Sequence, residues 1–220
     1  MAIHFASGRG AYFPAPKVAC TSIKEAIYEL EYGRPFTDEF VNGVCVNHVH
    51  LIYGTHPFAR AFMDVDPKAT KVALVRDPIK RILSAYRNRV VDLKDLSKDT
   101  LGVDVIEKSN LLPDPDADFF FTHLKEYMSI SNSIDHHFCN VSAFLGEDLT
   151  YFDKVFRFEE FSEFKAFFSR LAERDVRFPH SKKSQFYVEF DSLSPRARDS
   201  IREHVHAEYR YLKGYYNNDH

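Results

Sequence analysis

The 220-residue chain has no tryptophan and leaves its aromatic load to 21 Phe and 12 Tyr. Cysteine is scarce: Cys20, Cys45 and Cys139 are scattered and fall in no CxxC pair. That excludes a disulfide framework and fits a reducing compartment. No apolar run approaches the ~18 residues of a membrane span. Met1-Ala2-Ile3-His4-Phe5 lacks the charged start and apolar centre of a secretory leader. The expectation is a cytoplasmic protein with no stable membrane insertion. An excess of one charge is missing too, because 29 Lys and Arg stand against 32 Asp and Glu for a net charge of −3. Nothing in that balance points to nucleic acid, so any anion must be met by a local basic cluster. What is present is enough for a core: 45% apolar and 28% charged residues exclude global disorder. The length suits one domain covering residues 1–220, with no repeat, low-complexity tract or linker.

Ala11-Tyr12-Phe13 is a short apolar run ended by Pro14 and Pro16, and it predicts a buried strand. Ile23, Ala26, Ile27 and Leu30 follow helical spacing, with Thr21 or Ser22 as N-cap and Gly33 as terminator. Residues 44–52 read as a strand whose alternation puts His48 and His50 on one face with Val46 and Ile52. A short helix opens at Pro57. The apolar run 71–75 predicts a strand covered on both faces, and a helix follows from Pro78 through Ile82, Tyr86 and Val90. This alternation predicts an α/β fold: a P-loop-like parallel β-sheet flanked by helices. Residues 92–118 are polar, carry Pro113 and Pro115, and predict a long loop of the kind that gates a site. Beyond it, the pattern predicts helices at 119–130 and 136–145 and a strand at 154–158. A Phe-studded helix (Phe161, Phe164, Phe168, Leu171) follows, then a last helix starting at Ser194-Pro195. The C-terminal part of the single domain is therefore helical.

Two strand-to-helix junctions carry the chemistry. The first, Pro16-Lys17-Val18-Ala19-Cys20-Thr21-Ser22, runs straight into a helix. A helix N-terminus offers unpaired N–H groups and partial positive charge, and a lysine with two hydroxyls turns it into an anion cradle. The segment contains no glycine and is not a Walker A loop, which argues against an ATPase or GTPase. At the second junction, beginning Val75-Arg76-Asp77-Pro78, a buried strand delivers Arg76, with Ser84 two turns into the next helix. Ligands of open α/β sheets lie outside the carboxyl ends of strands. Two anion sites at neighbouring strand ends suit one ligand with two separated phosphates.

Together these segments resemble the sulfotransferases that use 3′-phosphoadenosine 5′-phosphosulfate (PAPS). More narrowly, they resemble the carbohydrate sulfotransferases of the Golgi-type, family 2-like group and their soluble bacterial-type relatives. The resemblance implies that Lys17, Val18, Ala19, Cys20, Thr21 and Ser22 hold the 5′-phosphosulfate of PAPS. It assigns Arg76 and Ser84 to the 3′-phosphate. Pro179-His180-Ser181-Lys182-Lys183-Ser184 is similar to a basic loop that closes over the nucleotide, so Lys182, Lys183 and Ser184 join the donor-binding set. Tyr209-Arg210-Tyr211-Leu212 is similar to the family's last helix. The function implied is transfer of the sulfuryl group from PAPS to an acceptor hydroxyl on a carbohydrate, without a metal. Lys17 would stabilise the leaving oxygen. In the related uronyl 2-O-sulfotransferases a His-x-His lies between the two motifs, and its second histidine resembles His50. His50 is therefore the first candidate for general base and His48 the second. Golgi relatives carry a membrane anchor with no counterpart here, which implies a cytoplasmic enzyme.

Other readings compete. His48 and His50 with His136 or His137 and a carboxylate would suit a metal-dependent hydrolase, but that leaves Lys17 and Arg76 unused. A nucleotide kinase lacks its glycines, while a non-catalytic nucleotide- or glycan-binding relative would keep the motifs without transfer. A cysteine phosphatase would need arginine at position 26, where Ala26 stands. Arg81 reads as structural, and the many Phe and Tyr as mostly core.

Overall fold

In a computed structural model of the chain, the described residues are 2–179 and 188–218. In chain order the elements begin β1 (Ile3–Phe5), β2 (Gly10–Phe13), α1 (Cys20–Tyr32), β3 (Glu39–Val41), β4 (Val44–Asn47), α2 (Val49–Ile52), α3 (Phe58–Ala61), β5 (Thr70–Val75) and α4 (Pro78–Tyr86). They continue α5 (Lys98–Leu101), α6 (Val103–Ser109), α7 (Ala117–Thr122), α8 (Leu124–Ile130), α9 (Asn132–Phe138), α10 (Ser142–Leu145), β6 (Lys154–Arg157), α11 (Phe161–Ala172) and α12 (Pro195–Tyr211). Among the described residues, no helix is long and apolar enough to cross a membrane. The described residues form two compact units, 2–76 with 141–179 and 77–140 with 188–218.

The first unit is built on a four-stranded sheet in the order β1-β2-β5-β6. β2 runs parallel to β5 with Phe13 opposite Ala73, and β5 runs parallel to β6 with Val75 opposite Arg157. β1 is antiparallel to β2, so this is a mixed sheet with parallel strands, flanked by helices. Alternation along the strands sorts the aromatics to opposite faces. Phe5, Tyr12 and Phe156 meet α11: Phe5 stacks on Phe168 at 4.0 Å, and Phe156 meets Phe164 edge-on at 5.6 Å. Phe13 faces the other way, onto Phe58, Tyr151 and Phe152. Gly10 lies opposite Phe5, and a Cβ there would drive into the Phe5 ring.

One expected strand is not present as such. Residues 44–52 are not continuous and do not enter the main sheet; β4 pairs with β3 in a separate two-stranded hairpin. Asn42 and Gly43, at φ 51° and 78°, form its two-residue turn, the Asn-Gly chemistry that suits such hairpins. β4 stops at Asn47, and His48 caps the short α2. His48 and His50 therefore do not share a strand face.

In the second unit, Asp77 accepts from the Lys80 amide at 2.9 Å to cap α4, with Pro78 in its first turn. Ser194 and Pro195 start α12 in the same manner. The core gathers Ile82, Phe120, Phe121, Tyr127, Phe138, Ile201 and Val205. Arg81 confirms its structural reading: its Nε and a terminal nitrogen donate to the Glu208 carboxylate at 2.7 and 2.6 Å. Its other contacts are the carbonyls of His137 and Cys139, at 3.1 and 3.0 Å. Residues 92–118 are not a bare loop. They contain α5 and α6 and bury Leu96 and Leu111. The hydroxyls of Tyr86 and Tyr127 pin Pro115 and Leu112 through their carbonyls. The expected helix at 119–130 breaks at His123 into α7 and α8, and that at 136–145 into α9 and α10.

Candidate functional site

The site is built in the first unit, on the turn from β2 into α1. Lys17 and Ala19 take φ of 67° and 53° in a loop without glycine, a left-handed conformation that costs roughly 1–2 kcal/mol per residue. Strain of that kind is stored where the chain has a use for it. Ala19, not Thr21 or Ser22, is the residue before the helix, and it supplies no capping hydrogen bond. Thr21 and Ser22 therefore lie inside the first turn, correcting the expected cap. A serine or threonine cap needs extended backbone at that point, and the left-handed Ala19 starts the helix earlier. The first-turn amides of this 13-residue helix have no cap side chain to receive them, which is the arrangement that accepts an anion.

The hydroxyls are engaged in turn. Thr21 Oγ1 lies 2.9 Å from His50 Nε2, and Ser22 donates to the Pro179 carbonyl. A hydroxyl has one donor and two lone pairs, so Thr21 can accept from the ring and still donate to an anion, whereas Ser22 must turn away from Pro179 to do so. Val18 is completely buried and anchors the loop; Cys20 is buried beside it in sequence. Because β2 and β5 are parallel neighbours, their carboxyl ends bring the second motif to the first: Arg76 donates to the Lys17 carbonyl at 3.1 Å. The guanidinium lies over the Phe158 ring at 4.7 Å. Lys17 and Arg76 are both half-buried. The first unit thus gathers Lys17, Thr21, Ser22, His50 and Arg76. Ser84 is half-buried on α4, in the second unit. Lys182, Lys183 and Ser184 lie outside the described residues.

The two central histidines have different surroundings. His48 Nδ1 accepts from the His50 amide at 3.2 Å, closing the α2 cap, while Nε2 lies 4.0 Å from Asp38. The rings stack at 5.0 Å. His50 has both nitrogens in contacts, Nε2 with Thr21 and Nδ1 with Lys24 Nζ, each at 2.9 Å. Lys24 is a functional candidate that motif reading passed over. It is completely buried, and its other partner is Thr55 Oγ1 at 2.8 Å. Removal of water from the ammonium lowers its pKa to about 8, against a smaller opposing pull from Cys20. A signal was there: Cys20, Ile23, Lys24 and Ile27 follow i, i+3, i+4, i+7, which places a lysine in the inward stripe of α1.

Among the described residues, no three His, Cys, Asp or Glu side chains come together as a metal-binding group. His136 and His137 lie on α9, in the second unit, where His137 Nδ1 is 2.8 Å from the Ser133 carbonyl. The hydrolase reading therefore has no ligand set among these residues. What the arrangement offers instead is an uncapped helix start, two cations from adjacent strand ends, and a histidine backed by a buried lysine.

Neither a search of the curated proteins nor one of the solved structures finds a match. The family profile described as "Sulfotransferase family" matches residues 11–220, from the strand that delivers the Lys17 loop onward. The chain belongs to the sulfotransferase family.

Proposed function

We propose that the chain moves the sulfuryl group of PAPS to a carbohydrate hydroxyl, with residues 1–220 acting as one sulfotransferase domain. The observation that carries this reading is the hydrogen bond from Arg76 to the Lys17 carbonyl. It joins two cationic motifs, far apart in sequence, as a ligand with two separated phosphates requires. The fit to the donor rests also on the α1 start, whose amides lack a capping side chain. When bound, PAPS supplies the sulfuryl group and a phosphate leaving group. Lys17 offers its ammonium to the bridging oxygen that gains charge as the S–O bond breaks. Thr21 and Ser22, with the helix amides, orient the 5′-phosphate; Arg76 takes the 3′-phosphate, and the resemblance gives Ser84 and the basic loop with Lys182, Lys183 and Ser184 the same ligand. His50 takes the acceptor proton, and His48 holds the turn on which His50 sits. The three cysteines, all free thiols, support a cytoplasmic setting.

A thermal-shift series tests the donor. 3′-Phosphoadenosine 5′-phosphate should raise the melting temperature, and its analogue lacking the 3′-phosphate, or ATP, should not. Equal shifts with all three, or none with the first, would reject the reading.

A further inference from the structure

The contact between Lys24 and His50 has a consequence for how the histidine works. A continuous chain of contacts runs from Thr21 Oγ1 through the His50 ring to Lys24 Nζ and on to Thr55 Oγ1, with steps of 2.9, 2.9 and 2.8 Å. Neutral imidazole carries its proton on one nitrogen and a lone pair on the other. An ammonium at Lys24 can only donate, so it holds Nδ1 as acceptor and puts the proton on Nε2. A ring in that state has no lone pair to offer where Thr21 now sits. If it took a second proton, an imidazolium would lie against a buried ammonium 2.9 Å away, a repulsion that burial of Lys24 leaves poorly screened. A neutral amine at Lys24 reverses the pattern: it accepts from Nδ1–H and leaves the Nε2 lone pair available. The protonation state of Lys24 therefore selects the tautomer of His50.

We propose that Lys24 is a positioning residue that acts through His50 in a two-step proton relay. The proposal rests on the sulfuryl-transfer reading above. The acceptor hydroxyl replaces Thr21 at Nε2. Its oxygen attacks sulfur, an O–S bond forms, and the bond from sulfur to the bridging phosphate oxygen breaks with its electron pair left on that oxygen. The hydroxyl proton passes to Nε2, the Nδ1 proton passes to Lys24 Nζ, and the ring ends neutral as the other tautomer. The resulting ammonium donates to Thr55 and returns its proton by the same route after product leaves. Burial makes the amine accessible near neutral pH. The titratable groups facing Lys24 are Cys20 on its own helix, which favours the ammonium, His50 on α2, and His56 in the segment after α2, whose proton affinity is lowered first by burial and in the smallest part by Lys24.

The test is a titration of the His50 ring nitrogens by ¹⁵N NMR from pH 6 to pH 10, without ligand, with the resonances assigned from His50→Ala. The wild-type ring should exchange its protonated nitrogen in a step with a midpoint at about 8. Lys24→Met should lose that step. Lys24→Arg, whose cation persists at every pH, should hold the proton on Nε2 throughout. A flat wild-type titration, or a step that survives both substitutions, overturns the relay. Calorimetry with 3′-phosphoadenosine 5′-phosphate separates this from the parent reading. Wild type and Lys24→Met that bind it alike while the ring titration is flat remove the relay alone. A wild type that does not bind it removes the sulfuryl reading and, with it, the relay.

Discussion

Glu208→Gln isolates the energetics of the buried pair in the second unit. Arg81 and Glu208 are 1% and 2% exposed, and the guanidinium spends its remaining contacts on the carbonyls of His137 and Cys139. Glutamine keeps the shape but removes the negative charge, and arginine cannot respond by losing its proton. The variant therefore buries an uncompensated cation, which costs about 3–5 kcal/mol, a large share of the roughly 5–15 kcal/mol that holds a domain together. The double variant Arg81→Met with Glu208→Leu removes both charges together and should stay within about 2 kcal/mol of wild type. Urea unfolding at pH 7, followed by far-UV circular dichroism, measures all three proteins. Glu203→Ala provides the comparison, because its pair with Lys125 has both side chains 73% exposed and should leave the midpoint unchanged. If Glu208→Gln unfolds at the wild-type midpoint, or the double variant is as unstable as the single one, the buried-charge argument is wrong.

Lys24→Met has a pH signature in stability. Lys24 gives up its proton near pH 8 in the folded chain, against about 10.4 when unfolded. Between those values the unfolded state holds more protons, so wild-type stability rises with pH and the variant lacks that rise. The stability of Lys24→Met relative to wild type should fall by about 2 kcal/mol from pH 7 to pH 10, and parallel denaturation curves across that range would refute this. Lys17→Ala should cut turnover of PAPS by on the order of 10²–10³ if the ammonium stabilises the leaving oxygen; turnover within threefold of wild type would refute that role. Arg76→Ala should act chiefly on affinity, read as a weaker dissociation constant for 3′-phosphoadenosine 5′-phosphate, and an unchanged constant would exclude Arg76 from that ligand.

Features set by neighbours in the chain were legible. The apolar runs of β2 and β5, the Asp77-Pro78 and Ser194-Pro195 helix starts, and the Phe stripe of α11 all depend on local spacing and capping, and each is found where that spacing puts it. The hairpin at Asn42-Gly43 carried a readable turn signal, but the β-branched run 44–52 hid it. Carrying the strand on past Asn47 placed His48 and His50 on a strand instead of a cap and a helical turn.

By itself, the order of residues determined the class of fold and the sulfotransferase family, because both show as patterns of residues close in sequence. Tertiary structure alone decided what those patterns touch. Left-handed backbone at Lys17 and Ala19 has no residue-type signature without glycine. Arg81 finds Glu208 across 127 positions, and Lys24 meets His50 across 26. Such pairings exist only once helices and strands have packed, since it is packing that strips water from Lys24 and sets its ammonium against a ring.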